Sequence, residues 1–493
     1  MTLRSDPPLD PLRADARALR RAVVAAGDAT FAAWRPGIAR DDFLPGARNL
    51  ADYLAFRQQD LTTLQNRLTV LGLSSLGRAE SRIRPTLDAL IAGLDRLVGA
   101  PASWPQESAF FQGLTTIARE QTLFFGPHDT AQATRIMVTL PTEAADDPAM
   151  IPALIEAGAT CLRINCAHDD ASVWARMIAR IRAAETGRQR RIPVIMDLGG
   201  PKIRIVALRA PHGRLKRGDR LRIVQNKAAL AGATPAIALS VPDLLARLKP
   251  GDPVLIDDGK IGARVLSVDS VGVLLEVHTA REKGEKLKLE KGVNFPSVEI
   301  NLPALTAKDR ADLAFVAGHA DAIGYSFVQR PEDVDQLLAA LAPLRRGLPP
   351  LPLMLKIETR LAVRNLPGLL IAAGGRTPVS VMIARGDLAM EVGPERLSEV
   401  QEEILWLCEA AHVPAVWATQ VLESLVKNGA PSRAEITDAA MGQRAECVML
   451  NKGPFVAEGV AFLAGILRRM DRHQYKKSAR LSALTSWRDV LVS

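Results

Sequence analysis

The sequence is short of several residues that often announce a function. Its 493 residues include only four cysteines, and aromatic residues make up 4% of the chain. No apolar run approaches the roughly 20 residues needed to cross a bilayer, so no spanning helix is expected. Met1–Asp10 holds one Arg, two Asp and two Pro with no apolar stretch behind it, which excludes the pattern of a secretory leader. The expectation is a soluble cytoplasmic protein with no membrane partner. Four cysteines (Cys161, Cys166, Cys408, Cys447) cannot staple so long a chain, and the first two lack the spacing of a zinc knuckle. They are expected to be buried free thiols. Scarce aromatics also leave few stacking platforms for bases, and no RNP, zinc-finger or basic-zipper pattern is present, so the net charge of +9 does not point to nucleic acid. That charge is localised. Residues 1–130 carry 15 Arg against 14 acids, whereas residues 207–291 carry 16 basic against 10 acidic residues, a net of +6.

What is present is core-forming material: 48% hydrophobic residues, enough for two to four domains. Leu50, Tyr53, Leu54, Leu61, Leu64, Leu68 and Leu71 recur at helical spacing, as do Ile83, Leu87, Leu90, Ile91, Leu94, Leu97 and Val98. Residues 1–130 therefore read as an all-helical module, broken by the cluster Gly99–Pro105 and again at Phe124–Asp129, with a packing or interaction role. From residue 134 onward, eight short apolar runs alternate with helix-length segments: 134–140, 160–166, 192–198, 321–327, 351–357, 378–385, 413–420 and 446–452. This is the pattern of parallel strands covered on both faces, and eight of them imply a closed (β/α)8 barrel. Thr306 and Ser432 stand as helix N-caps, the second within a capping box with Glu435. The third and fourth runs are separated by a strand-like, turn-rich stretch. The expected organisation is an α/β protein: helical module 1–130, barrel 131–206, inserted β-barrel-like lid 207–291, barrel 292–475, tail 476–493. The two barrel parts total about 260 residues, near the roughly 250 of one such barrel.

In such barrels the chemistry lies at the C-terminal ends of the strands. The runs end in Arg163-Ile-Asn165 with His168 beyond, Asp197, Ser326-Phe327, Lys356-Ile-Glu358, Arg385-Gly-Asp387, Thr419-Gln420 and Asn451-Lys452. Glu358 and Asp387 on adjacent strands offer hard oxygen ligands of the kind that hold Mg²⁺ together with substrate phosphate oxygens. Lys356 can set an ammonium against the same phosphate. Gly386 permits close backbone approach, and the amides after it open a helix, a site for a carboxylate or phosphate. The constellation suits phosphoryl transfer, without a Walker loop, a kinase Gly-rich loop or a Rossmann fingerprint.

Nine segments in order carry a resemblance: Ala157–His168, Asp197–Arg204, Asp257–Ile261, Lys291–Asn294, Leu302–Asp309, Lys356–Glu358, Ala384–Leu388, Ala418–Ser424 and Ser432–Asp438. Over about 131–475 the sequence resembles pyruvate kinase. The resemblance implies transfer of the phosphoryl group of phosphoenolpyruvate to ADP, giving pyruvate and ATP as in glycolysis, with Mg²⁺ or alternatively Mn²⁺ as cofactor. It implies that Lys356, Thr419 and Arg163 are catalytic, with Lys356 on the transferring phosphoryl group and Thr419 beside the enolate. Gly386 and Asp387 would hold the substrate carboxylate, Glu358 and Asp387 the metal, and Arg163, Asn165, His168 and Lys291 the nucleotide. The +6 segment would be a basic flap over a polyphosphate, and a homo-oligomer is expected.

The sequence departs from the family pattern at named places. Ala167, Leu198 and Lys202 stand where potassium-dependent members have Ser, Thr and Glu, so the Lys202 ammonium is expected to replace the monovalent cation and make activity potassium-independent. Gly199 stands where many members have Lys. The eighth run reads Met449-Leu-Asn-Lys-Gly-Pro454 instead of ending in Ser-Gly-Glu-Thr. About twenty residues follow Arg472, so control at the family's C-terminal regulatory domain is not expected, and the helical module is expected to take up its part in assembly. The competing reading is a phosphoenolpyruvate or nucleotide sensor without turnover, with the helical module as its output.

Overall fold

The computed structural model describes residues 9–127, 132–186, 188, 190–210, 213–230, 232–300, 302–476 and 478–479. Within them five helices come first: α1 (Leu9–Trp34), α2 (Leu44–Arg57), α3 (Thr62–Val70), α4 (Ile83–Leu97) and α5 (Glu107–Phe125). The Leu50–Leu71 periodicity is divided between α2 and α3, and the Gly99–Pro105 cluster separates α4 from α5. Residues 128–131, at the expected second break, and 480–493 of the expected tail lie outside the described residues.

Apolar periodicity announces α1 only weakly, because two of the six residues on its buried face, Leu12, Ala16, Leu19, Val23, Gly27 and Phe31, are small. Close approach is the reason. A Cβ on Gly27 would lie 2.1 Å from Asp52 Oδ1 on α2. Asp52 is buried, and Arg84 of α4 forks onto it with Nε at 2.7 Å and Nη2 at 2.8 Å. Burial raises the Asp52 pKa, and Arg84 opposes that rise. Arg13 and Arg17 hold Asp95 of α4 in the same way, at 2.5 and 2.7 Å. The charges of this module are thus joints between its helices.

Each of the eight apolar runs contains one strand of a closed, all-parallel barrel. The strands are β1 (Arg135–Thr139), β2 (Cys161–Asn165), β3 (Val194–Asp197), β4 (Ala322–Tyr325), β5 (Leu353–Ile357), β6 (Val379–Ala384), β7 (Ala415–Ala418) and β8 (Cys447–Leu450), neighbours in chain order, with β8 closing on β1. The Thr306 and Ser432 capping boxes both form, with Asp309 and Glu435 as their third residues. Side chains alternate along each strand, so every second residue faces the interior. The lower interior is apolar: Met137, Cys161, Ile195, Ala322, Met354, Met382, Val416 and Cys447 form one cluster with Phe124 and Phe125 from the end of α5. Both rings are buried, so α5 plugs the barrel from its N-terminal end. Gly126 makes that turn at φ +88°, and Arg135 Nε donates to its carbonyl at 3.1 Å. All four cysteines are buried free thiols.

Between β3 and β4 lies a second sheet of seven strands with its own apolar core. Its order is Val293–Asn294, Pro253–Ile256, Ile261–Val268, Gly272–Thr279, Arg220–Val224, Ala236–Leu239, Ile205–Arg209. The pairing is antiparallel except for one parallel pair, Arg220–Val224 with Ala236–Leu239. An isolated bridge between Arg204 and Gly292 brings its two edges together. No described helix is long and apolar enough to cross a membrane.

The helical module and the barrel share one continuous core. His412, in the turn before β7, joins them: its Nε2 lies 2.9 Å from Ser81 O. A carbonyl only accepts, so Nε2 carries the proton and Nδ1 does not. Among the described residues Nδ1 is buried without a hydrogen-bond partner, and burial drives the His412 pKa down to about 4.

Two outcomes follow from this packing. Phe125→Ala is expected to cost about 3–5 kcal/mol of barrel stability, read as a lower denaturation midpoint, and a change near zero would show that the plug does not support the barrel. For His412 the folded pKa lies below the unfolded one, so the unfolded chain binds more protons between about pH 4 and 6.5. Its contribution is complete above pH 6.5 and is lost as pH falls through 4, on the order of 3 kcal/mol in all. His412→Asn should flatten that part of the stability profile; an unchanged acid slope would contradict it.

Candidate active site

The interior changes character one step above the plug. Moving two residues along β1, β2, β3 and β5 from Met137, Cys161, Ile195 and Met354 reaches Thr139, Arg163, Asp197 and Lys356, the same interior rows at their C-terminal ends. Asp197 is fully buried and stands at the centre. Arg163 Nε donates to its Oδ2 at 2.7 Å while Nη1 donates to Thr139 Oγ1 at 2.9 Å. Lys356 Nζ lies 3.3 Å from the same oxygen, 3.2 Å from Glu358 Oε1, and donates to Ser326 Oγ at 2.7 Å. The space for Asp197 comes from β4: a Cβ on Gly324 would fall 1.9 Å from Asp197 Oδ1. Burial pushes Asp197 toward a higher pKa, but Arg163 and Lys356 outweigh it and hold the carboxyl below its usual value.

Glu358 responds in the opposite direction. Burial raises its pKa, Lys356 counters, and the Asp387 charge adds to the rise. Its Oε2 accepts from the amide of Phe327 at 2.6 Å, and Phe327 sits at φ +55°, an uncommon conformation for a bulky residue. That strained turn aims the amide at the carboxylate.

The β6 end turns directly into a helix, Arg385–Val392. Arg385 is tied down by Asp438, by Ala418 O at 2.9 Å and by Thr419 O at 2.6 Å, and lies over the Trp417 ring. This fixes the β6 and β7 ends relative to each other. Thr419 is held at φ +62°, and its Oγ1 accepts from Gly386 N at 2.8 Å and donates to Ala418 O at 2.7 Å. The Gly386 amide, expected to meet a substrate carboxylate, is occupied by the Thr419 hydroxyl here. Asp387 faces Lys202, whose Nζ lies 2.8 and 3.0 Å from its two oxygens. Burial alone would lower the Lys202 pKa; Asp387, followed by Asp258 and Glu358, raises it above its usual value. The loop carrying Lys202 is anchored by Asp309, whose Oδ1 accepts from Gly199 N at 2.8 Å.

Asn165 and His168 line a neighbouring cleft of about 280 Å³ that also includes Thr139, Arg163, Asn451 and Lys452. Asn165 Oδ1 accepts from Ala167 N at 3.1 Å within its own turn. Burial, then the nearby Lys452 and Arg204 charges, lower the His168 pKa. Lys291 does not join either group: its Nζ is 2.9 Å from Asp257 Oδ1 on the inserted sheet, and Lys260 takes the other oxygen at 3.0 Å.

The structure thus gathers Arg163, Lys356 and Glu358 around Asp197, and Lys202, Asp387, Gly386 and Thr419 beside them. Asp197 and Ser326 are visible in the sequence only as the polar ends of their runs, and their place at the centre is not. Among the described residues no three His, Cys, Asp or Glu side chains are grouped to enclose a metal. Two carboxylates, Glu358 and Asp387, are offered. This set fits an ion such as Mg²⁺ that completes its coordination with substrate oxygens and water.

A family model described as the pyruvate kinase barrel domain matches residues 131–459, beginning where the helical module has ended. A pyruvate kinase of Methylorubrum extorquens is 34% identical over 349 residues, 69% of each chain. One of Clostridium acetobutylicum is 30% identical over 347 residues, 69% of this chain and 71% of its own. Pyruvate kinase 2 of Synechocystis sp. is 30% identical over 362 residues, 72% of this chain and 59% of its own. With a closed eight-stranded parallel barrel, an inserted mixed sheet and this match over two thirds of its length, the chain belongs to the pyruvate kinase family.

Proposed function

We propose that the chain moves the phosphoryl group of phosphoenolpyruvate to ADP, yielding pyruvate and ATP in the cytoplasm, as an assembly of identical chains. The observation that carries this reading is the buried arrangement of Lys356 between Asp197, Glu358 and Ser326 at the strand ends. Around it three cations (Arg163, Lys202, Lys356) face three carboxylates (Asp197, Glu358, Asp387). Their charges balance, so an anionic substrate brings charge that a divalent cation can offset. Glu358 and Asp387 would hold Mg²⁺ with the substrate's oxygens, and the ion would supply charge neutralisation for the phosphoryl group.

Lys356 has the role of an aimed ammonium at the phosphoryl group in flight, a preorganised charge that costs no reorganisation when the reaction occurs. The phosphorus–oxygen bond to the enol breaks, a new one forms to the ADP terminal oxygen, and the enolate carbon takes a proton. Thr419 is the candidate to pass that proton, and its strained backbone holds the hydroxyl at the rim. For Gly386 N to receive the substrate carboxylate, Thr419 Oγ1 must release it. Arg163, Asn165 and His168 would meet the nucleotide. Lys291, paired with Asp257, would reach it only by movement of the inserted sheet. The units 1–130, 131–206, 207–291, 292–475 and 476–493 are proposed as the working divisions of the chain.

Lys202 supports a further reading. Its ammonium sits on Asp387 at 2.8 Å, a permanent monovalent charge beside the carboxylates. We therefore expect turnover without potassium.

Pyruvate release from phosphoenolpyruvate and ADP with Mg²⁺ tests the activity. Lys356→Ala should lower kcat on the order of 10²–10³-fold. Phosphoenolpyruvate binding with no turnover in the unaltered chain would replace the enzyme with a sensor. In the same assay the unaltered chain should respond equally with and without potassium, whereas Lys202→Glu should become potassium-responsive. No gain of response in that variant would remove Lys202 from this role.

A further inference from the structure

A cavity of about 640 Å³ lies in the seam between the helical module and the barrel, with α1, α2, α4 and α5 on one side and His412 on the other. It belongs to the N-terminal end of the strands, since His412 precedes β7 while Thr419 follows it. Four arginines line it: Arg35, Arg48, Arg82 and Arg84. Three of them have carboxylates. Arg84 forks onto Asp52 and donates to Asp28 at 2.7 Å, Arg48 donates to the same Asp28 oxygen at 2.5 Å, and Arg35 stands 3.8 Å from the exposed Asp41. Arg82 has none. Among the described residues its guanidinium makes no hydrogen bond or ion pair, and it lies over the Phe110 ring at 4.5 Å. Burial works against its charge, and Glu409 and Glu80 offset that only in part.

The start of α4 adds a second positive feature to the same wall. Its N-cap is Arg82, which supplies no side-chain cap, and no acidic residue stands in its first turn. Asn49 Oδ1 accepts from the Ile83 amide at 2.9 Å, Thr86 N donates back to Arg82 O at 3.0 Å, and Pro85 has no amide proton. The Arg84 amide, among the described residues, has no acceptor. A helix N-terminus left in this state attracts an anion. Ser81 points independently to a ligand: it lines the cavity, is 4% exposed, and among the described residues its Oγ is buried without a hydrogen-bond partner. A buried hydroxyl without a partner is costly unless a bound group supplies one. Guanidinium, helix amide and hydroxyl together are donors suited to a phosphate group, while Phe31, Leu44 and Pro45 offer an apolar wall to an organic part.

We propose that this cavity binds a small phosphorylated anion, inorganic phosphate or the phosphate monoester of a small alcohol, between Arg82, Ser81 and the first turn of α4. Its walls come from residues before 131 with His412 as the barrel's contribution, so most of the site lies outside the stretch that the family model matches. It is a site that the helical module builds against the barrel. The occupant touches both and holds one on the other, and the folded chain gains stability as the ligand concentration exceeds its Kd. Lys356 and the groups around it take no part, because they stand at the opposite end of the strands.

The test is hydrogen exchange of the full chain titrated with glycerol 3-phosphate, with inorganic phosphate and with glycerol at constant ionic strength. Glycerol 3-phosphate should slow exchange at amides 81–90 and 408–415, and glycerol should not. Inorganic phosphate acting as strongly as the ester assigns the site to the free ion, and a weaker action assigns it to the ester. Arg82→Met should weaken the affinity read at amides 81–90 about tenfold, the scale of one charge-assisted hydrogen bond, and Arg82→Lys should restore part of it. Ser81→Ala should weaken it about fivefold. The same variant should keep or raise the ligand-free Tm, because it deletes a hydroxyl that has no partner, whereas loss of a merely structural contact would lower it. Protection at 81–90 should persist in Lys356→Ala, which separates this site from any phosphate bound at the strand ends. Exchange at 81–90 indifferent to both phosphates overturns the proposal, as does protection there that is lost in Lys356→Ala. An affinity unchanged in both Arg82→Met and Ser81→Ala overturns it as well.

Discussion

A carboxylate with no solvent exposure must be given partners, and Asp197 is that carboxylate here. Its burial requires Arg163 from β2 and Lys356 from β5 to come within hydrogen-bonding or ion-pairing distance, and it requires β4 to carry no side chain at Gly324. Lys356 is consequently held between Asp197, Glu358 and Ser326, in a geometry its long flexible stem would not keep by itself. Glu358 then depends on Lys356 for charge and on the strained Phe327 turn for an amide. Among the described residues, removing Asp197 leaves the Arg163 guanidinium without an ion-pair partner, and removing Lys356 leaves the buried Glu358 carboxylate with the Phe327 amide alone. The constraint links four strands of the barrel and places the candidate chemistry where their ends meet.

The two ends of the barrel solve different problems. At the bottom an all-parallel barrel needs its interior filled, and the chain does this with a layer of Met, Cys, Ile, Ala and Val capped by Phe124 and Phe125. The helical module therefore completes the barrel core. At the top the same alternating rows end in charged groups, which need water, ligand or one another. Period-two alternation connects the ends: the residue two positions above each apolar plug contact is a site residue in four of the strands.

Charge is distributed to suit this division. The helical module is nearly neutral because its arginines are joints to Asp28, Asp52 and Asp95. The inserted sheet carries the surplus, and Lys202, Arg204 and Lys452 bring cations to the rim where the barrel and the sheet approach each other. Lys202 is neutralised by Asp387, while Lys452, among the described residues, makes no ion pair.

Much of this was legible along the chain. Eight apolar runs, their polar last residues, the Thr306 and Ser432 caps and the ordered motifs determine the barrel and the rim, because strands and caps are local and side-chain alternation has a fixed period. The helices α1 and α5 were less legible: small residues on the buried face of α1 weaken its period, and the two phenylalanines of α5 read as part of the break at Phe124–Asp129. What only the tertiary structure decided is which polar ends meet. Asp197 became the centre, Lys291 stayed with Asp257, the Gly386 amide went to Thr419, and Lys452, among the described residues, remained without an ion-pair partner. The reason is that an ion pair or an orphaned charge depends on distances between strands far apart in sequence, down to the single missing Cβ of Gly324, and no spacing along one chain encodes them.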